Sequence, residues 1–201
     1  ASPERYIKKS GNQIISQPIK GTAKRNLENH NYDIEIKESL LKSQKERSEN
    51  VMIVDLVRND LSKIATRDSV KMNELFGIYS FPQVHQMIST ISATLKADTD
   101  FEDVLKATFP MGSMTGAPKF KVMQLIEQYE QTKRGIYSGC LGYITPEGDF
   151  DFNVVIRSIM YNAKTKYLSY QVGGAITHYS NPEDEYEECL LKAKAMENAL
   201  M

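Results

Sequence analysis

Apolar and polar positions along the chain fall into blocks of different period. Tyr6 to Ser16 alternates like two short strands turned at Ser10-Gly11-Asn12, and it leads into the loop Gln17-Pro18-Ile19-Lys20-Gly21-Thr22. Residues 24–34 are polar and without period, which predicts a loop. From Ile36 to about Ala65 the period becomes helical: Leu40 and Leu41 form a first patch, then Val51, Val54, Val57, Leu61 and Ile64 recur three or four apart. Residues 70–81 and the alternating run Val84–Leu95 predict strands, and Asp100–Ala107 a short helix. A loop over Pro110–Gly116 follows, with Pro118 in the first turn of a helix reaching about Gln131. Ile136–Ile144, Phe150–Tyr161 and Tyr167–Ile176 read as an antiparallel meander turned at residues 146–149 and 162–165. Ser180 or Asn181 caps a last helix with Pro182 in its first turn, where Glu183, Asp184 and Glu185 complement the dipole. Strands interleaved with long helices, with no repeat or linker, predict one α+β domain over residues 1–201.

Composition narrows the function classes. A hydrophobic fraction of 41% and a charged fraction of 25% are those of an ordinary globular chain. A formal net charge of −1 gives no electrostatic case for nucleic acid or an anionic membrane. No apolar run approaches the roughly 20 residues of a membrane span. The two cysteines, Cys140 and Cys189, fit no metal spacing and read as reduced thiols of a cytoplasmic protein. The chain starts at Ala1 and Ser2-Pro3-Glu4-Arg5 resembles the inside of a domain, so upstream sequence is expected.

Several residues could carry chemistry. Lys20 precedes a glycine in a proline-fixed loop, a way to hold an amine at a cavity mouth, although any Lys-Gly pair can equally be a solvated turn. Glu46 and Glu49, and again Glu185 and Glu188, lie three apart on predicted helices, so each pair shares a helix face. If the pairs met, four carboxylates would call for a hard cation such as Mg2+. Each pair alone is equally a solvated face, and Glu188 could pair with Lys192 one turn on. His85 sits in an apolar-leaning strand, where a hydrogen-bonded structural histidine is the common outcome. Arg157, in Val154-Val155-Ile156-Arg157-Ser158, needs an anion if buried. Gly173-Gly174 would allow close approach of backbone amides to a ligand, or mark a bulge. The loop Gly112–Lys119 opens a helix and could bind an anion, but its spacing is not that of a P-loop.

Taken in order, Ser2–Tyr6, Pro18–Thr22, Glu49–Asp60, Gly116–Lys119 and Gly173–Ile176 resemble the motifs of the chorismate-utilising enzyme family. The resemblance spans the chain and corresponds to the C-terminal catalytic part of those enzymes. It implies their fold, antiparallel sheets with helices packed on the outer faces, here without the N-terminal portion. Lys20 marks the aminodeoxychorismate synthase branch: anthranilate synthases typically have alanine there, and in isochorismate and salicylate synthases the catalytic lysine lies on an upstream segment. The implied reaction is Mg2+-dependent amination of chorismate by ammonia to 4-amino-4-deoxychorismate, in p-aminobenzoate and folate synthesis. A glutamine amidotransferase subunit would supply the ammonia. The alternatives are anthranilate synthase chemistry, or a fragment that binds only Mg2+ or a partner.

By the same resemblance, Lys20 would attack the ring and Glu4 would protonate the leaving hydroxyl. Glu49 and Glu188 would hold Mg2+, with Glu46 and Glu185 supporting it through water. Arg157 and the Gly173 and Gly174 amides, with Tyr137 alongside, would take the enolpyruvyl carboxylate, and His85 and Thr115 would contact the ring. Asn50 stands where many family members have histidine.

Overall fold

The computed structural model describes residues 2–178 and 180–201. Its N-terminal hairpin follows the alternation: β1 (Arg5–Ser10) turns back into β2 (Gln13–Gln17), with Ser10 opposite Gln13. β3 (Ile19–Lys24) contains Lys20 and Gly21, so the lysine sits on a strand rather than a loop. β3 pairs with β5 through Ile19 opposite Ile88 and Thr22 opposite Gln86, and the register shifts between them, at Lys20 and Gly21.

Two helices replace the single one predicted over residues 36–65. α1 (His30–Lys42) begins inside the expected loop, capped by the Asn29 side chain, and ends at Ser43. Ser43 is extended, with ψ of 114°, and its side chain accepts from the Glu46 N–H to start α2 (Gln44–Ile64). An N-capping serine in mid-pattern is therefore the break. In α2, Val54, Leu61 and Ile64 are buried as predicted, whereas Val51 is exposed and Ile53 is buried instead.

β4 (Lys71–Ser80) and β5 (Val84–Thr94) form the next hairpin. α3 (Phe101–Thr108) carries a capping box between Asp100 and Asp103. A 3-10 turn at Gly112–Met114 precedes α4 (Lys119–Tyr129), with Pro118 at its N-cap. β6 (Cys140–Ile144) and β7 (Phe150–Val154) complete the main sheet. β8 (Ile159–Asn162) and β9 (Tyr167–Tyr170) form a separate two-stranded ribbon, so the predicted three-strand meander is divided. The division falls at residues 155–158, where Arg157 takes a φ of +48° that a continuous strand does not permit. Gly173 and Gly174 lie beyond β9, outside any strand. α5 (Pro182–Glu197) starts with Asn181 capping two backbone amides and Pro182 in the first turn.

The main sheet is antiparallel in the order β3-β5-β2-β1-β7-β6, with β4 on the other edge of β5. α2 and α3 pack on one face, where Ile7, Ile14, Ile91 and Val154 meet Val54, Leu61 and Val104. Phe101 of α3 stacks on Phe152 and meets Phe150 edge-on. Beside this core, Asp60 of α2 binds Lys63 and Lys119, and Lys119 also donates to the Thr108 carbonyl at 3.2 Å. Lys119 thus ties the Gly112–Pro118 loop to α2 rather than presenting a cation to solvent. The main-sheet antiparallel topology with packed helices is the α+β arrangement anticipated from the pattern. No helix among the described residues is long and apolar enough to cross a membrane.

Candidate active site

Lys20 and the first acidic pair are brought together by β3 running beside the start of α2. The Lys20 ammonium lies 3.9 Å from Glu49 Oε2, both side chains being largely buried. The chain comes this close because residue 21 is glycine: its φ of +96° suits a residue without a side chain, and a Cβ there would meet Glu46 Oε2 and Met87 Cβ, each at 3.2 Å.

The second acidic pair comes from α5 and faces the first. Glu185 is buried; its Oε1 accepts from Ser180 at 2.9 Å and from Lys45 of α2 at 3.2 Å. Gly174 packs against it, since a Cβ there would lie 3.0 Å from Glu185 Oε2. Glu188 pairs with Lys192 at 2.7 Å, and Lys192 also donates to the Gly173 carbonyl at 2.9 Å.

The electrostatics show the two pairs acting on one another. Burial pushes the Glu46 carboxyl up, and repulsion from Glu49 and Glu188 adds to it. Burial also raises Glu49 against the pull of Lys20 and Lys45, with Glu185 and Glu188 repelling it. Burial would raise Glu188, but Lys192, Lys45 and Lys20 together hold it below the ordinary range. The spacing of each pair was legible in the sequence; their convergence was not.

Glu4, just before β1, is 5% exposed. Burial pushes its carboxyl up to about 7, opposed by a Ser113 hydrogen bond and by the charges of Lys20 and Arg157. It lines a small cavity of about 20 Å3 with Ser16, Asp60, Thr108 and Ser113. It also lines a second of about 250 Å3 with Gln17, Ile19, Tyr79 and Ile88. A buried carboxylic acid of this kind carries a proton near neutral pH and can donate it. Arg157 is half-buried; burial lowers its pKa while Glu4 and Glu188 oppose the shift.

The Tyr137 hydroxyl faces Gly173, 3.2 Å from where a Cβ would stand, and burial raises its pKa. Thr115 donates its hydroxyl to the Met111 carbonyl of its own loop at 2.9 Å. His85 is 2% exposed, with Nδ1 2.9 Å from Ser80 Oγ and Nε2 3.0 Å from Asp33 Oδ1. Asp33 also accepts from Arg25 at 2.8 Å, so both ring nitrogens sit in a protein network. Asn50 accepts from Ser89 at 2.6 Å, and its amide nitrogen has no partner among the described residues.

Sequence reasoning missed Ser113, Lys45 and Asp33. Ser113 and Asp33 carry no local signal; Lys45 stands beside Glu46, yet nothing in its spacing shows that it reaches α5.

Oxygen ligands alone, and like charges that repel at close quarters, suit a hard divalent cation. Among the described residues no three His, Cys, Asp or Glu side chains are grouped so as to hold one, and Lys20, Lys45 and Lys192 each engage a carboxylate.

Residues 1–198 match the family model for the chorismate binding enzyme. The chain is 42% identical over 202 residues to the chloroplastic aminodeoxychorismate synthase of Arabidopsis thaliana, covering 100% of this chain and 22% of that protein. It is 39% identical over 200 residues to anthranilate synthase component 1 of Aquifex aeolicus, covering 100% of this chain and 40% of the relative. The crystal structure of anthranilate synthase component I from Streptococcus pneumoniae superimposes with a TM-score of 0.81 at 32% identity, over 98% of this chain and 42% of that one. The chain thus spans less than half the length of these relatives. A match over nearly the whole chain, on a fold shared with a solved member, places this chain in the chorismate binding enzyme family.

Proposed function

We propose that this chain carries the catalytic part of an aminodeoxychorismate synthase, which aminates chorismate with ammonia to 4-amino-4-deoxychorismate. The observation that supports this most is Lys20 held against Glu49, with its charge acting on a buried, proton-carrying Glu4. One amine and one acid are the two groups that a covalent substitution on the chorismate ring needs. The Arabidopsis relative's name supports the same branch.

In this reading the Lys20 amine forms a bond to C2 of chorismate. Both ring double bonds shift, the C4–O bond breaks, and Glu4 gives its proton to the departing hydroxyl, which leaves as water. Ammonia then bonds to C4, both double bonds return, the Lys20 amine leaves, and the new ammonium gives a proton back to Glu4. Arg157 and the Gly173 and Gly174 amides take the enolpyruvyl carboxylate, with Tyr137 beside them. Thr115 flanks the ring, while His85, with both ring nitrogens engaged by Ser80 and Asp33, is a structural histidine in this reading. Glu49 and Glu188 would hold Mg2+, with Glu46 and Glu185 behind them through water. The bound cation would serve as Lewis acid and template for the ring carboxylate.

Ammonia implies a glutamine amidotransferase partner, and the Aquifex relative is itself named a component 1. Free thiols at Cys140 and Cys189 are compatible with a cytoplasmic setting, although the Arabidopsis relative is named chloroplastic.

The second reading is anthranilate synthase, favoured by the Aquifex and Streptococcus relatives. Incubation with chorismate, Mg2+ and ammonium, followed by product identification, separates the two. The first reading predicts 4-amino-4-deoxychorismate; anthranilate with pyruvate would establish the second, and no turnover would mean a fragment that binds without reacting.

A further inference from the structure

Beside Glu4 the fold leaves a space to which the proposed reaction assigns nothing. This cavity of about 20 Å3 has room for one water-sized molecule. Val57 and Asp60 of α2, Ser16 of β2, Thr108 at the end of α3, and Ser113 border it together with Glu4. Its buried hydroxyls are committed as acceptors. Ser16 donates to the Tyr6 carbonyl and Thr108 to the Val104 carbonyl, each at 2.7 Å, so neither has a proton left for the cavity. With the Thr108 proton spent in this way, the Tyr6 hydroxyl donates to Thr108. Asp60 accepts from Lys63 and Lys119, keeps further lone pairs, and is outweighed in charge by the two lysines. Glu4 is a further acceptor once it has given up its proton. Water brings two protons and two lone pairs, whereas ammonia brings three protons and one lone pair. A wall of acceptors therefore suits ammonia better than water, and the surplus positive charge disfavours ammonium.

We propose that this cavity is the ammonia subsite of the reaction, holding the N–H groups while the lone pair faces C4 of the ring. The inference rests on the amination reading given above. In two successive substitutions of one stereochemical kind, ammonia arrives at C4 on the face that the hydroxyl left, which is the face Glu4 serves. Ammonia forms the C4–N bond with its lone pair, both ring double bonds return, and the electron pair of the C2–N bond goes back to the Lys20 amine. The resulting ammonium on C4 then gives one proton to the Glu4 carboxylate, which restores the acid for the next turnover.

The test resizes the cavity at residues outside the catalytic set. Ser16→Thr keeps the hydroxyl and adds a methyl group to the space; Val57→Ala removes two methyl groups and widens it. Two steps are read separately: formation of the Lys20 adduct from chorismate without ammonia, by intact mass, and amination by ammonium or by methylamine. Ser16→Thr should form the adduct at the wild-type rate yet need about ten-fold more ammonium for half-maximal amination. Val57→Ala should raise the ratio of methylamine to ammonium use about ten-fold, yielding N-methylated product, because methylamine exceeds the wild-type space. The KM for chorismate should stay at the wild-type value in both. Wild-type amine dependence in either variant would overturn the subsite and leave the amination standing, as would an equal loss in the adduct step of Ser16→Thr. A wild-type protein that forms neither adduct nor aminated product would overturn the amination and the subsite with it.

Discussion

Glu4 and Lys20 make different demands on their surroundings: one must keep a proton near neutral pH to donate it, the other must reach the substrate ring. Burial serves the first directly. Because the Glu4 carboxyl is raised to about 7, the folded state holds a proton there that the unfolded chain releases from about pH 4.5 upward. Its contribution to stability is therefore full at low pH and is lost as pH rises through 7. Glu4→Gln should gain on wild type by about 3 kcal/mol between pH 4.5 and 8, read by urea unfolding at both values. The same protonation predicts that amination falls above about pH 7, and that Glu4→Gln loses about a hundred-fold or more in kcat at pH 6.5. Unchanged kcat would remove Glu4 from the general-acid role. At this scale the sequence was informative about identity and poor about surroundings. Lys20, Glu4 and Arg157 could be named from their motifs. Ser113 against Glu4 and Asp33 against His85 depend on contacts between distant segments, which local pattern does not encode.

Among the elements, α2 carries the most: core residues on one face, the Glu46 and Glu49 pair at its start, and Asp60 near its end. Asp60 is the joint with the Gly112–Pro118 loop through Lys119. Removing its charge by Asp60→Asn leaves Lys119 largely buried without an anion, and should cost about 3 kcal/mol of stability. A change below 1 kcal/mol by urea titration would show the pair to be dispensable. Glu188→Gln on α5 should leave the fold intact and abolish Mg2+-dependent turnover; a normal rate at limiting Mg2+ would reject its place in the metal site. The period read the existence of these helices correctly and their limits less well. Ser43 breaks the predicted long helix because its side chain caps α2, a signal hidden inside a continuous polar stretch. The last strands were over-extended because apolar residues continue through 155–158 while the backbone turns at Arg157.

For the whole molecule, one sheet and one packed face place β3, α2 and the segment before β1 around a common centre, and α5 brings the second acidic pair to it. That placement makes Lys20 a candidate nucleophile rather than a surface lysine. The most direct measurement is intact-mass and peptide analysis of the protein, acid-quenched during reaction with chorismate and Mg2+ in the absence of ammonia. A covalent route through Lys20 predicts an added mass equal to chorismate less one water, located on the Lys20 peptide, absent from Lys20→Ala, and discharged by ammonium as 4-amino-4-deoxychorismate. An unmodified Lys20 during turnover, or wild-type amination by Lys20→Ala, would contradict it.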